Sequence, residues 1–132
     1  MDKSYVDDRY PLSALTAKII QAAHEVHGTL GPGFRELIYQ RALARELSMQ
    51  GLEFEREVWM DVQYKGETVG RQRVDFVIGD ETGGVMVETK AKGTLEDVDF
   101  VQALSYLKAS GYNVGLLLNF GSRKLSIKRL EN

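Results

Sequence analysis

Apolar residues recur along the chain in two rhythms, and the change from one to the other separates helices from strands. Leu15, Ile19, Ala22, Ala23 and Val26 fall at helical spacing between Ala14 and His27, with Ser13 placed as an N-cap behind Pro11. The glycine- and proline-rich stretch from Gly28 to Gly33 is expected to break that helix. A second helix is predicted from about Phe34 to Met49, burying Leu37, Ile38, Leu43 and Leu47 and stopping at Gly51. The period then shortens toward two. Glu53 to Tyr64 reads as a strand, Lys65-Gly66-Glu67 as a hairpin turn, and Val69 to Ile78 as the return strand. In that return strand Val74, Phe76 and Ile78 alternate with Arg73, Asp75 and Val77. A turn over Gly79 to Gly84 leads to a third strand, Val85 to Lys90. Leu95 to Ser110 is predicted helical, with Val98, Val101, Leu104 and Leu107 facing inward and Gly111 closing it. Val114 to Asn119 is apolar enough for a buried central strand, and Leu125 to Leu130 alternates as an edge strand does.

The predicted order is helix, helix, three strands, helix, two strands (ααβββαββ). A helix joining two strands implies a crossover, expected to be right-handed, and hence a mixed β-sheet flanked by helices in an α/β fold. No repeat or linker interrupts the pattern, so one domain is expected over residues 1–132, with residues 1–12 as a flexible or extended lead.

Composition narrows the chemistry. With 43% hydrophobic and 27% charged residues the chain is of ordinary globular type. Cysteine is absent, which excludes disulfides, zinc–thiolate sites, iron–sulfur clusters and cysteine nucleophiles. No apolar run approaches the roughly 20 residues of a membrane span, and the polar N-terminus has no signal-peptide core, so a cytoplasmic location is expected. A net charge of −2 argues against coating nucleic acid through an overall field, but a local basic rim around an acidic pocket is compatible with it.

The segment richest in chemistry is Asp75 on one strand and Glu88-Thr89-Lys90 on the next. Side chains two apart on a strand share a face, so Glu88 and Lys90 point the same way, and Asp75 joins them if its strand lies alongside. Two carboxylates about 4 Å apart repel by about 4 kcal/mol at an effective dielectric of 20, which calls for a cation. Mg²⁺ (or Mn²⁺) suits oxygen donors, with Asp75 and Glu88 as ligands and Lys90 orienting an attacking water toward a phosphodiester. An Asp…Glu-x-Lys triplet is by itself loose, and most such triplets are solvated surface ion pairs. Here, however, Val85-Met86-Val87 sets Glu88 at the end of an apolar strand, where an unpartnered carboxylate is costly. Gln102 and Tyr106, one turn apart on the third helix, can face the same sheet edge.

The segment Gly33-Phe34-Arg35-Glu36-Leu37-Ile38-Tyr39 has the form G-x-x-E-x-x-Y, and the chain resembles the GxxExxY family of the PD-(D/E)XK nuclease superfamily. The likeness continues through Leu30-Gly31-Pro32, Tyr64-Lys65-Gly66-Glu67, Arg73-Val74-Asp75, Val87-Glu88-Thr89-Lys90, Gln102 to Leu107 and Gly115 to Gly121, in order, from about Leu15 to Leu130. The resemblance implies a restriction-endonuclease-like fold and Mg²⁺-dependent cleavage of DNA or RNA. It makes Glu36 the acid of the helix, Asp75 and Glu88 the metal ligands with the Thr89 carbonyl as a third, and Lys90 the catalytic lysine. Gln102 and Tyr106 match a Gln-x-x-x-Tyr element of the exonuclease-like branch. Val74 stands where the family's name has proline. A fold retained for binding nucleic acid or a protein without turnover is the alternative, and a homodimer is compatible with either.

Other residues invite plainer readings. Glu36 and Tyr39 share a helix face; Glu36 also suits the positive helix end, and Tyr39 is expected to be a hydrogen-bonding partner. Glu36, Gln102 and Tyr106 are expected on the Glu88 side of the sheet. His24 and His27 miss the H-E-x-x-H spacing by one residue, so His27 is expected to support the glycine-rich turn and His24 to be exposed. Gly31-Pro32-Gly33 lacks the Lys-Ser/Thr of a phosphate loop and reads as a connector. Lys92, Lys108, Arg123, Lys124, Lys128 and Arg129 supply positive charge without revealing its arrangement. Trp59 is expected to lie in the core or an interface rather than to serve as a base-stacking platform.

Overall fold

The computed structural model describes residues 12–80 and 83–132; apart from Leu12, the lead expected over 1–12 lies outside them. The elements follow the predicted order: α1 (Ser13–Leu30), α2 (Glu36–Met49), β1 (Glu53–Tyr64), β2 (Glu67–Asp80), β3 (Gly83–Lys90), α3 (Asp97–Ser110), β4 (Val114–Asn119) and β5 (Ser126–Glu131). One mixed sheet runs β1-β2-β3-β4-β5, parallel only between β3 and β4, the pair joined through α3. Among the described residues no helix is long and apolar enough to cross a membrane.

Several boundaries differ from the sequence reading. The Thr16 amide bonds the Leu12 carbonyl at 2.9 Å, so the first turn closes on Leu12 and Ser13 lies inside α1 rather than capping it. Gly28 does not break α1, since a glycine costs only about 1 kcal/mol in a helix. The stop is Gly31, at φ 70, whose amide bonds the His27 carbonyl at 2.8 Å. In α2 the buried side is Tyr39, Gln40, Leu43 and Leu47, while Leu37 is exposed. Lys65 (φ 47) and Gly66 (φ 85) alone make the hairpin turn, both left-handed as a tight two-residue loop requires, and Glu67 already pairs with Tyr64. The β2 and β3 strands reach Asp80 and Gly83, so much of the turn expected there is strand.

The largest correction concerns α3. Val98 and Val101 are 64% and 63% exposed, and the buried positions are Asp99, Ala103 and Leu107. Leu107 is buried as expected and Leu104 packs beside it, but the two valines are outside; toward the start of the helix Asp99 takes the inner position, held by a capping box with Glu96 and by Lys92.

The two sheet faces have separate packing. On one, Val85, Val87, Leu116 and Leu118 meet α1 and α2 through Leu15, Ile19, Tyr39, Leu43 and Leu47. On the other, Met86 and Val74 meet α3 through Leu107. Beyond β3 and β4 the chain crosses itself tightly: a Cβ on Gly121 would stand 2.3 Å from the Lys92 amide nitrogen. Asn119, fully buried, ties the same crossing by accepting from Lys92 N–H and donating to the Lys92 carbonyl, both at 2.9 Å. Gly121→Ala therefore overlaps backbone and should destabilise the fold by about 3 kcal/mol, read as a lower urea midpoint.

Candidate active site

The site begins where two strands part. β2 pairs with β3 only as far as Phe76–Val87, and the β1–β2 ladder lacks the rung between Glu57 and Asp75. Beyond that point Val58, Met60 and Val74 pack toward α3, whereas Phe54, Phe76 and Ile78 pack toward α1 and α2, so the hairpin changes faces at Asp75. Backbone groups freed by the split need partners. Side chains supply them: Glu88 Oε1 accepts from Asp75 N–H at 2.9 Å, and Asp75 Oδ2 accepts from Thr89 N–H at 2.8 Å. Each carboxylate is anchored through one oxygen, and Asp75 Oδ1 and Glu88 Oε2 lie outside these bonds.

A second layer fixes Asp75 from the α2 side. The Thr89 hydroxyl donates to Asp75 Oδ2 at 2.8 Å and accepts from Gln40 Nε2 at 2.9 Å. The same Gln40 nitrogen lies 3.4 Å from Glu36 Oε2. Tyr39 secures the turn before Glu36: its hydroxyl donates to the Gly31 carbonyl at 2.6 Å and accepts from Phe34 N–H at 3.1 Å, while its ring stacks on Phe120. Tyr39 is thus a hydrogen-bonding staple, and Glu36 follows as the first residue of α2.

On the α3 side, Lys90 Nζ donates to Gln102 Oε1 at 3.0 Å and lies 3.9 Å from Asp99 Oδ1. Asp75, Glu88, Lys90, Gln102 and Tyr106 line one cleft of about 500 Å³, together with Trp59, Gln72 and Arg73. Glu36 is not in its lining. Its helix belongs to the layer opposite α3, so the expectation of a common side holds for Gln102 and Tyr106 but not for the helix bearing Glu36. A larger hollow of about 780 Å³ near Glu53, Asp80 and Tyr112 sits at the other end of β3 and contains none of these residues.

Residues 13–130 match the family model of the PD-(D/E)XK nuclease superfamily. The chain belongs to that superfamily. A solved structure titled "Crystal structure of SSO0001" shares the fold at a TM-score of 0.58 and 19% identity, covering 92% of this chain and 60% of that one. The chain thus spans about 60% of the length of that protein. No curated protein matches it.

PD-(D/E)XK nucleases usually use divalent metals, and the donors here can be tested against that use. Among the described residues no three His, Asp or Glu side chains form a metal-binding group. Two carboxylates remain, and their electrostatics suit a bound cation. Burial, then the charge of Asp75, pushes the Glu88 carboxyl from its ordinary 4.5 up to about 8. Glu36 is raised by the same two causes, in the same order, with Lys90 opposing them. Tyr106 is raised by burial and by the charges of Glu88 and Asp75. A hard dication on the oxygen pair would relieve this crowding.

The Glu88 shift has a consequence for stability. The folded chain holds the Glu88 proton up to about pH 8, whereas the unfolded chain releases it near 4.5. The contribution is therefore complete below pH 4.5 and is lost as pH rises toward 8. In chelator, Tm should fall across this window, and Glu88→Gln should flatten the slope. An unchanged slope in the variant would assign the effect to another group.

Some expectations about neighbouring residues change. His27 supports the glycine-rich turn through its carbonyl, which accepts from Gly31 N–H at 2.8 Å, and its ring also donates from Nε2 to the Ser122 carbonyl of the β4–β5 loop at 2.9 Å. His24 is exposed, as expected. Lys92 is engaged by Glu96 and Asp99 at 2.8 and 2.9 Å. Trp59 is not in the core: it is 55% exposed and walls the cleft, with the Arg71 and Arg73 guanidiniums over its ring. Gln40 and the Thr89 hydroxyl escaped the sequence reading. The available signal for Gln40 was its position four residues after Glu36, on the same helical face.

Proposed function

We propose that the chain is a divalent-metal-dependent nuclease that hydrolyses phosphodiester bonds of DNA or RNA, of the GxxExxY kind within its superfamily. The observation that carries this reading is the convergence of Asp75, Glu88 and Lys90 on one cleft, with Gln102 holding the lysine at 3.0 Å. Asp75 Oδ1 and Glu88 Oε2 would hold Mg²⁺ or Mn²⁺. The Thr89 carbonyl is a further donor, since in an extended strand it points to the same side as the Thr89 N–H that Asp75 binds. When bound, the ion supplies charge neutralisation for the reacting phosphate.

The protein's own groups do the remaining work. Lys90 Nζ, fixed by Gln102, orients the attacking water and stabilises negative charge growing on the phosphate oxygens. Tyr106 keeps its hydroxyl proton at neutral pH, because its pKa is raised above the ordinary 10.0, and can donate a hydrogen bond to phosphate. Glu36, through Gln40 and Thr89, positions Asp75. The test is a panel of single- and double-stranded DNA and RNA incubated with Mg²⁺ or Mn²⁺. Cleavage that chelator stops supports the reading; equal cleavage in chelator contradicts it.

A further inference from the structure

Away from Asp75 the cleft continues onto the β1–β2 hairpin, where Trp59 forms part of its wall. This is the chain's only tryptophan. It lies across the ladder from Arg73, and the guanidinium carbons of Arg71 and Arg73 stand 5.0 and 5.9 Å from its ring centroid. Isolated exposed aromatics are common and usually need no explanation. This one is placed differently: it is 55% exposed in a concave wall, beside two carboxylates and under two cations. The arginines also face Asp61 and Glu57 at 3.7 and 3.8 Å, but all four side chains are about half exposed. Such pairs contribute little and can yield to a phosphate, which arginine binds in bidentate fashion.

We propose that Trp59, with Arg71 and Arg73, is a stacking platform for an unpaired nucleobase, so that the cleft takes single-stranded nucleic acid in preference to intact duplex. The inference rests on the nuclease reading above and adds the form of its substrate. In a duplex both faces of a base are covered by its neighbours, and a side chain can meet a base face only after unstacking. An indole 55% exposed in the wall of the cleft offers that contact once a base displaces the half-exposed guanidiniums over its ring, and without regard to sequence, because every base has a π-face. The two guanidiniums add charge for the adjoining backbone phosphates. Together they would align a strand along the hairpin and into the gap between β2 and β3.

Because Trp59 is the single tryptophan, its fluorescence reports the contact directly. The full chain is titrated in Ca²⁺, which takes oxygen donors with looser geometry than Mg²⁺. The probes are a short single-stranded oligodeoxynucleotide, the oligoribonucleotide of the same sequence, and the blunt duplex. Single strands should quench Trp59 emission and the duplex should not; comparing the two single strands identifies the preferred sugar. By anisotropy of labelled probe, Trp59→Ala should weaken single-strand binding by roughly ten- to a hundredfold, and Trp59→Phe should retain most of it. Binding without quenching, with Trp59→Ala unaffected, would overturn the platform and leave the nuclease reading standing. Failure of the wild type to bind or cut any nucleic acid would remove the nuclease reading itself, and the platform with it. A concentration-dependent blue shift in the protein alone would place a second copy over Trp59 and overturn the proposal.

Discussion

Lys90→Ala should lower nucleic-acid cleavage by about 10²–10³ while leaving the fold intact, the usual cost of removing one group aimed at developing charge. Lys90 is suited to that role because it is held rather than loose: Gln102 Oε1 receives its ammonium at 3.0 Å and Asp99 lies behind it at 3.9 Å. Its side chain is mostly buried but lines the cleft at the end of β3, so truncation removes one hydrogen bond and a long ion pair and opens no core cavity. A second effect is expected in the same variant. Lys90 lowers the pKa of both Glu36 and Glu88, so its loss should raise both further and make metal binding more pH-dependent. Measuring cleavage at saturating metal separates the two. A variant that cleaves as fast as wild type under those conditions would leave Lys90 without a chemical role.

Asp75→Asn should weaken Mn²⁺ binding by more than about a hundredfold in calorimetry. Loss of a partner one shell away from a metal commonly costs 10–100-fold, and a direct ligand should cost more. The substitution keeps an oxygen able to accept from Thr89 N–H, so the gap between β2 and β3 should persist and the circular dichroism should be unchanged. Asp75 is also the second cause of the raised Glu88 pKa, after burial. The variant should therefore bring the Glu88 pKa down and shift the pH dependence of Tm toward acid. Undiminished Mn²⁺ affinity would remove Asp75 from the metal.

Much of the fold was legible because the elements differ in period. The largely apolar run Val114–Asn119 has the character of a strand buried on both faces, and it is one. The strand bearing Glu88 and Lys90 was equally plain, since Val85-Met86-Val87 precedes them. Only the later half of the α3 stripe, Leu104 and Leu107, was legible, because burial of Asp99 at its start depends on Lys90 and Lys92, which the end of β3 and the loop after it bring in. The change of faces at Asp75 was hidden as well. Alternation assigned Val74 and Phe76 to one side, and only the loss of pairing at a single rung sends them to opposite cores. Carboxylates bonded to neighbouring backbone amides are a product of that gap, so sequence spacing alone places Asp75 near Glu88 without showing how each is held. The core half of the Trp59 expectation failed for a related reason: composition favours burying an indole, while its position on a hairpin that leaves the core keeps it exposed in the chain by itself.

Anomalous scattering from a crystal soaked in Mn²⁺ tests most directly whether Asp75 and Glu88 hold a metal beside Lys90. The account predicts a manganese peak between the two carboxylates in the wild-type protein, absent from Glu88→Gln crystals treated in the same way. No peak at these residues in wild-type crystals, or an undiminished peak in Glu88→Gln, would contradict it.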